Sequence, residues 1–314
     1  MKYKSYPAYR EAWKNAGTNT PTIPLNIDIE LSATCNLQCP FCFVTNPKFK
    51  KEKEKIKNKF MPIKLVSDII LAAAEIGVPS LKFNWRGEPT LHPNFTDILK
   101  IARTYYKKPF YDLIVNTNGN YNTEKCFVGL MQCTKVIFSV DSLQPAIYKK
   151  MRVNGDLTKL KNNISDLLAA GHDGIVLQRV ITKENEKENF KHDVESNFGN
   201  YVKISEHYAF NRNSVYKKFT GQVNQKPKRI YCGYPSQRLV IDVDGYYHPC
   251  CVDLYGEISL GNFKLNTIME TWDSIKLSNL RNTLKNKKHI EIPTCQSCQS
   301  YMSFDCPERE KIIG

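Results

Sequence analysis

The stretch that most constrains this chain is Cys35-Asn36-Leu37-Gln38-Cys39-Pro40-Phe41-Cys42, which follows the strand-like run Ile27-Asp28-Ile29-Glu30-Leu31. A loop this short aims three thiolates at one metal centre and supplies no fourth. That arithmetic suits a [4Fe-4S] cluster with one iron left open, because a cluster held only for electron transfer ordinarily takes four protein thiolates. Zinc fits a lone triplet poorly, since structural zinc takes four ligands, commonly from paired Cys-x2-Cys units. Disulfides need an oxidising compartment, and nothing in the chain points to one.

Cys-x3-Cys-x2-Cys with the aromatic Phe41 before the last cysteine resembles the signature of radical S-adenosylmethionine (SAM) enzymes. The resemblance implies that Cys35, Cys39 and Cys42 hold the cluster and that its open iron chelates the methionine end of SAM. It further implies reductive cleavage of SAM to a 5'-deoxyadenosyl radical that abstracts hydrogen from a substrate. An external one-electron reductant such as flavodoxin or ferredoxin is then the expected partner.

At 314 residues the chain accommodates two domains, or one barrel with an extension. It has no apolar run of the roughly 18 residues that a membrane-spanning helix needs, and Met1–Tyr6 carries no apolar signal region. Eleven cysteines are an odd number for a disulfide framework and read better as metal ligands in a reducing, cytoplasmic setting. Part of the net charge of +14 lies in Lys48–Lys59. Such a run is ordinarily a solvated loop, and its functional reading is attraction of an anionic substrate. No nucleic-acid-binding motif accompanies it.

Residues 1–24 are polar, interrupted by Pro7, Gly17, Pro21 and Pro24, and read as a lead-in too short for a leader-peptide-binding domain. From residue 25 to about 215, strand-like runs alternate with amphipathic helical patterns. Strands are expected at Leu25–Leu31, Ser80–Phe83, Tyr111–Asn116, Lys135–Val140, Gly174–Ile181 and Val202–Ser205. Helices are expected at Ile63–Ile76, Phe95–Tyr106, Thr123–Met131, Leu157–Ala170 and Glu184–Phe198. This predicts an α/β fold, a partial (βα)6 TIM-like barrel with its chemistry at the C-terminal strand ends, and the resemblance implies the same architecture.

Motifs fall at those strand ends. Asn84-Trp85-Arg86-Gly87-Glu88-Pro89 is similar to the family's Gly-Gly-Glu-Pro motif, which implies that Gly87, Glu88 and Pro89 bind the SAM amino group; glycine lets the backbone approach closely. Arg86 stands where the first glycine is common, and a substrate-facing arginine is one reading of it. Asn116-Thr117-Asn118-Gly119 is like the family's Thr-Asn-Gly turn, with Asn118 a cofactor contact and an ordinary strand-to-helix turn the alternative. Ser139-Val140-Asp141-Ser142 followed by Arg152 resembles the Ser-Leu-Asp-Gly segment of the sulfatase-maturating branch. That likeness implies that Ser139 and Arg152 hold the SAM carboxylate, a hydroxyl plus guanidinium being sound carboxylate chemistry; Asp141 either shares that site or caps a helix. In the fifth strand Gln178 and Arg179 point to opposite faces, and Gln178 is expected near the SAM ribose. Glu206, His207 and Tyr208, with Arg212, line a substrate pocket or form an exposed connector.

Polar Lys217–Lys228 marks a boundary, and residues 216–314 form a small C-terminal domain. Residues 239–249 read as a β-hairpin with an Asp-Gly turn that brings Cys232 and Cys250 together, and Cys295-x2-Cys298 completes four thiolates. This resembles the auxiliary-cluster domains called SPASM and, in shorter form, twitch. With only Cys306 left over, one auxiliary [4Fe-4S] cluster is expected; zinc is the alternative occupant. Cys251 is either a local structural cysteine or a thiol hydrogen donor, as in radical SAM epimerases. Cys126 and Cys133 are assigned to the core, and His92 and His248 to structural roles. The resulting expectation is an oxidoreductase-type enzyme acting on a small polar molecule, a carbohydrate or phosphorylated sugar, with a peptide-modifying maturase or epimerase as the alternative.

Overall fold

The computed structural model describes residues 2–42, 45, 54, 58–208, 232–296 and 298. The chain opens with helix α1 (Tyr6–Asn15), which the polar reading of residues 1–24 did not foresee. Ser5 caps it by accepting from the Ala8 N–H, and Pro7 sits in its first turn, where a missing N–H costs nothing. Strand β1 (Asn26–Ile29) follows, then helix α2 (Ile63–Ile76). Leu65, Val66, Ile69, Ile70 and Ala73 of α2 recur at helical spacing and are buried, and the helix stops at Gly77 with φ 87°. Glycine takes that left-handed conformation without the Cβ penalty.

Strand β2 (Ser80–Phe83), helix α3 (Phe95–Thr104), strand β3 (Asp112–Thr117), helix α4 (Thr123–Leu130) and strand β4 (Lys135–Ser139) continue the alternation. Helices α5 (Pro145–Met151) and α6 (Leu157–Ala169), strand β5 (Ile175–Ile181), helix α7 (Phe190–Phe198) and strand β6 (Lys203–Tyr208) complete it. Helix α5 was not expected. Helix α7 starts later than the periodicity predicts because Asn185 turns inward, donating to the carbonyls of Asp141 at 2.8 Å and Val180 at 3.0 Å. Beyond lie α8 (Tyr234–Gln237), strands β7 (Arg238–Ile241) and β8 (Tyr247–His248), and helices α9 (Ile268–Trp272), α10 (Ile275–Lys285) and α11 (Pro293–Gln296).

The eight strands among the described residues form one open sheet in the order β6-β5-β4-β3-β2-β1-β7-β8. Strands β1 to β6 pair in parallel, and β7 joins them by pairing in parallel with β1, Asp28 against Val240. The expected hairpin is present, β7 running antiparallel to β8 around Gly245 at φ 90°. The hairpin assigned to the C-terminal domain therefore extends the barrel sheet.

Alternate residues serve opposite faces. Ile27, Ile29, Leu81, Phe83, Leu113, Val115, Val136, Phe138, Ile175 and Leu177 pack against the helices in one core. Asn26, Asp28, Glu30, Lys82, Asn116, Lys135, Ser139 and Gln178 face the lumen. Helix α1 covers the N-terminal end, where the buried Tyr9 hydroxyl donates to Asp112 at 3.2 Å.

Candidate functional site

The cysteine loop leaves β1 at the C-terminal end of the sheet and is pinned on two sides. The Gln38 N–H donates to the Val153 carbonyl at 2.9 Å, and Asn36 Nδ2 donates to the Asn120 carbonyl at 2.9 Å. Donors face the sulfurs: the Leu37 N–H and Asn118 Nδ2 reach Cys35 Sγ at 3.4 and 3.8 Å, and Arg152 Nη1 reaches Cys39 Sγ at 3.7 Å. Burial pushes the Cys35 thiol up to about 12, with Glu88, Cys42 and Cys39 adding to it. Burial also raises Cys39, against the pull of Arg152. Crowded thiols of this kind stay protonated unless a cation is present, and a metal centre deprotonates its thiol ligands outright. The donor set therefore fits a cluster.

Gly87 is required by close packing. A Cβ there would overlap the Ser32 carbonyl oxygen and stand 2.5 Å from that of Thr34, while the Glu88 N–H donates to Thr34 O at 2.8 Å. Glu88 is buried, and its carboxylate accepts from Thr90 Oγ1 at 2.7 Å, Thr117 Oγ1 at 2.8 Å and the Asn118 N–H at 2.7 Å. Burial raises its pKa, and these donors oppose the rise. Glu88 thus ties the Thr117-Asn118 turn to the cysteine loop, and Pro89 starts the short 3-10 turn after it.

Asp141 is no helix cap. It is fully buried at φ 65°, accepts from the Val180 N–H at 2.8 Å, and pairs with Arg152 Nε at 2.7 Å. Arg152 also lies 5.7 Å over the Phe41 ring, so Phe41, Cys39, Asp141 and Arg152 form one unit. Ser139 and Gln178 are register partners on β4 and β5, and Gln178 accepts from Asn116 Nδ2 at 3.4 Å. Arg179 faces away, over Phe190 at 5.1 Å and paired with Glu206 at 3.1 Å. His207 shares a hydrogen bond with Ser205 at 3.1 Å; the Tyr208 side chain, Arg212 and Cys306 lie outside the described residues.

Arg86 does not face a substrate. Its Nε and Nη2 grip Glu30 at 2.8 and 2.6 Å, its Nη2 lies 3.6 Å from Asp242, and its guanidinium covers the Trp85 ring at 4.1 Å. Asp242 continues to His248 at 3.3 Å, and His248 to Asp253 at 3.5 Å. Glu30, Asp242 and His248 were missed as a unit. The available signal was an acidic residue in a parallel strand covered on both faces.

Cys232, Cys250, Cys295 and Cys298 line one pocket together with Pro249, Val252, Leu280 and Leu284. Burial raises the Cys250 thiol well above its ordinary value, and Cys251, Cys232, Cys295 and Cys298 add to it. Among the described residues no three His, Cys, Asp or Glu side chains stand at the spacing of a single metal ion. The Cys251 carbonyl accepts from Trp85 Nε1 at 2.9 Å, and Trp85, Leu254 and Tyr255 pack with Cys42. Trp85 thus links the segment after Cys250 to the neighbourhood of Cys42. Cys126 and Cys133 are buried in the core, and His92 bridges Met61 O and the Asn94 N–H.

This fold and these two thiol sites define an iron–sulfur enzyme class. The Radical SAM superfamily profile matches residues 29–195, more than half of the chain, and SPASM, an iron-sulfur cluster-binding domain, matches residues 232–299. The chain belongs to the radical SAM superfamily and carries a C-terminal SPASM domain; its cofactors are SAM, a [4Fe-4S] cluster and auxiliary iron–sulfur. GTP 3',8-cyclase of Vibrio parahaemolyticus serotype O3:K6 (strain RIMD 2210633) is 24% identical over 160 residues, 50% of this chain and 46% of that protein. The chain thus spans about half the length of the curated relatives it matches. Among solved structures, BtrN in complex with AdoMet and 2-DOIA superposes with TM-score 0.60 at 18% identity, covering 88% of this chain and 93% of BtrN. Streptococcus suis SuiB bound to precursor peptide SuiA gives TM-score 0.67 at 16% identity, covering 93% of this chain and 75% of SuiB. No helix among the described residues is long and apolar enough to cross a membrane.

Proposed function

We propose that this radical SAM enzyme oxidises a small polar substrate, a carbohydrate or its phosphorylated form, held in the barrel lumen between the two cysteine sites. When bound, SAM and its cluster supply hydrogen-atom abstraction, and one auxiliary [4Fe-4S] cluster supplies a one-electron sink. The observation that carries this reading is the four-thiol pocket of Cys232, Cys250, Cys295 and Cys298, whose neighbour Cys251 accepts through its carbonyl from Trp85, a residue packed with Cys42 around Leu254. Four thiolates fill every iron, so that group exchanges electrons and leaves substrate binding to the protein. Oxidation of a carbinol to a ketone then balances as one hydrogen atom, one proton and one electron.

The chain's own residues do the positioning. Cys35, Cys39 and Cys42 ligate the first cluster. Gly87 and Pro89 shape the edge beside the methionine amino group, and Glu88 and Asn118 hold the cysteine loop against it. Arg152, oriented by Asp141, faces the methionine carboxylate with Ser139; Phe41 and Gln178 border the remainder of SAM. A flavodoxin- or ferredoxin-type reductant in a cytoplasmic setting completes the system. BtrN, whose structure was solved with AdoMet and 2-DOIA, matches this chain along nearly its whole length and supports the small-molecule reading. Peptide modification is the second reading, favoured by the placement of Cys251 beside both sites.

The test is iron and sulfide content of anaerobically reconstituted protein, with 5'-deoxyadenosine assayed after dithionite and SAM. About eight irons are expected from two clusters, and about four after Cys35, Cys39 and Cys42 are replaced together. Bound zinc in the second site would remove the electron acceptor and overturn the oxidation mechanism.

A further inference from the structure

The lumen contains two lysines that the site above does not use. Lys82 lies on the inward face of β2, between the outward-packed Leu81 and Phe83. Lys135 opens β4 on the same side, its neighbours Val136 and Phe138 being buried among the helices. Both are partly enclosed. Neither makes a hydrogen bond or ion pair among the described residues.

The carboxylates nearby are already engaged. Asp28 accepts from Asn26 Nδ2 at 3.1 Å and pairs with Arg238 Nη1 at 3.3 Å, and Asp112 accepts from Tyr9. Arg238 is clamped over Trp13 and Tyr234 at 5.0 and 4.9 Å. The charged groups that act on Lys82 from the lumen are Asp28, Arg238 and Lys135. Around Lys135 stand Asp112, Arg10 and Lys203. Burial depresses both ammonium groups, so each is held where charge is costly. At neighbouring inward positions the sheet carries Ile114, Ile137, Val176 and Val240, so the lumen wall tolerates apolar residues, and a lysine is not imposed by packing. A buried ammonium in such a place costs free energy unless it is paired, and among the described residues neither lysine makes a hydrogen bond or ion pair, Asp28 and Asp112 being bound to Arg238 and Tyr9.

We propose that Lys82, backed by Lys135, is the anchor for a phosphoryl group on the substrate. Lysine binds phosphate as a point charge, and two ammonium groups suit a dianion better than a monoanionic carboxylate. The anchor lies below the strand ends that carry Cys42, Asn118 and Ser139. A phosphorylated small molecule seated on Lys82 would thus present its far end to the hydrogen-abstracting site. This rests on the small-molecule reading of the lumen and names its substrate class.

The experiment is thermal melting of the reconstituted, cluster-loaded chain in sodium phosphate, in sodium acetate and in sodium chloride at matched ionic strength and pH. Phosphate should raise the melting temperature of the parent above its value in chloride, because a ligand that binds only the folded state stabilises it by mass action. Lys82→Met should abolish that rise, Lys135→Met should diminish it, and Lys82→Arg should retain it. The exposed Lys276→Met should respond as the parent does. In chloride Lys82→Met should melt at or above the parent, since it removes an unpartnered charge; a lysine holding the fold would give the opposite. An equal phosphate response in Lys82→Met and parent overturns the proposal, as does no response in the parent or a larger response to acetate. None of these readouts uses SAM cleavage, so failure of the phosphate response is distinguishable from failure of the deoxyadenosine assay.

Discussion

Replacing Arg86 with glycine would bring the motif closer to the family pattern, yet the structure makes that change destabilising. The Arg86 side chain is 7% exposed and the Glu30 carboxylate 0%, the pair closing at 2.6 Å. Glu30 also accepts from the Arg86 N–H at 3.3 Å and the Val243 N–H at 3.2 Å. Removing the guanidinium leaves Glu30 as a buried charge with only amide partners and withdraws a cation from Asp242. Breaking a buried pair from one side costs about 3–5 kcal/mol. The lost contact with Trp85 at 4.1 Å acts in the same direction but shares the same atoms, so the two do not simply add. With an unfolding entropy of about 2.1 cal/mol/K per residue, a chain of 314 residues shifts by roughly 1.5 °C per kcal/mol, so the melting temperature should fall by roughly 5–8 °C.

The assay is a double-mutant cycle on the chain without clusters, using Arg86→Gly, Glu30→Gln and the double variant. Glu30→Gln should recover part of the loss in the Arg86→Gly background, because neutralising the orphaned partner removes its desolvation cost. Arg86→Lys should fall between glycine and parent, since it keeps the charge and loses the two-pronged grip. If Arg86→Gly melts with the parent, or the cycle shows no coupling, the ion-pair account is wrong.

Gly87→Ala should displace the cysteine loop, because the new methyl meets the backbone of Ser32 and Thr34, where nothing yields cheaply; about half the iron of a two-cluster protein should be lost. Iron analysis showing full content would refute the close-approach argument. Cys251→Ala should leave iron content unchanged, since its fixed contact is a backbone carbonyl held by Trp85. Product analysis then separates its roles: an unchanged product removes the hydrogen-donor reading, and an unquenched or oxidised product in place of an epimer supports it.

Much of this fold was legible because its signals are local. The helical spacing in Ile63–Ile76 and the Asp244-Gly245 turn each specify their element within a dozen residues, and the cysteine spacings specify two metal sites without reference to the rest. The exceptions have one cause. Asp28, Glu30 and Lys82 sit in runs that read as apolar strands, and their partners lie far along the chain: Arg238 for Asp28, Arg86 and Val243 for Glu30, none among the described residues for Lys82. The alternation that flagged Gln178 also marks these positions, but a polar residue on a covered strand announces only that a partner is needed. The partner becomes visible once the sheet order is known. Helix α1 was hidden for a related reason: Tyr9 is its only buried residue, so no repeating apolar face betrays it.

The parallel pairing of β7 with β1 changes how the auxiliary domain relates to the barrel. A SPASM segment joined by a linker could move as a unit relative to the SAM site. Here Asp28 and Val240 share a register, and Glu30, on the strand that runs directly into Cys35, is bound to Arg86 from the loop after β2 and to the Val243 N–H from the C-terminal segment. Trp85 then carries the same join to the Cys251 carbonyl. A shift of the cysteine loop away from the C-terminal segment would have to break a buried ion pair, strand hydrogen bonds and the Trp85 contact together. The distance between the cysteine loop and the C-terminal segment is accordingly fixed by the fold of the protein.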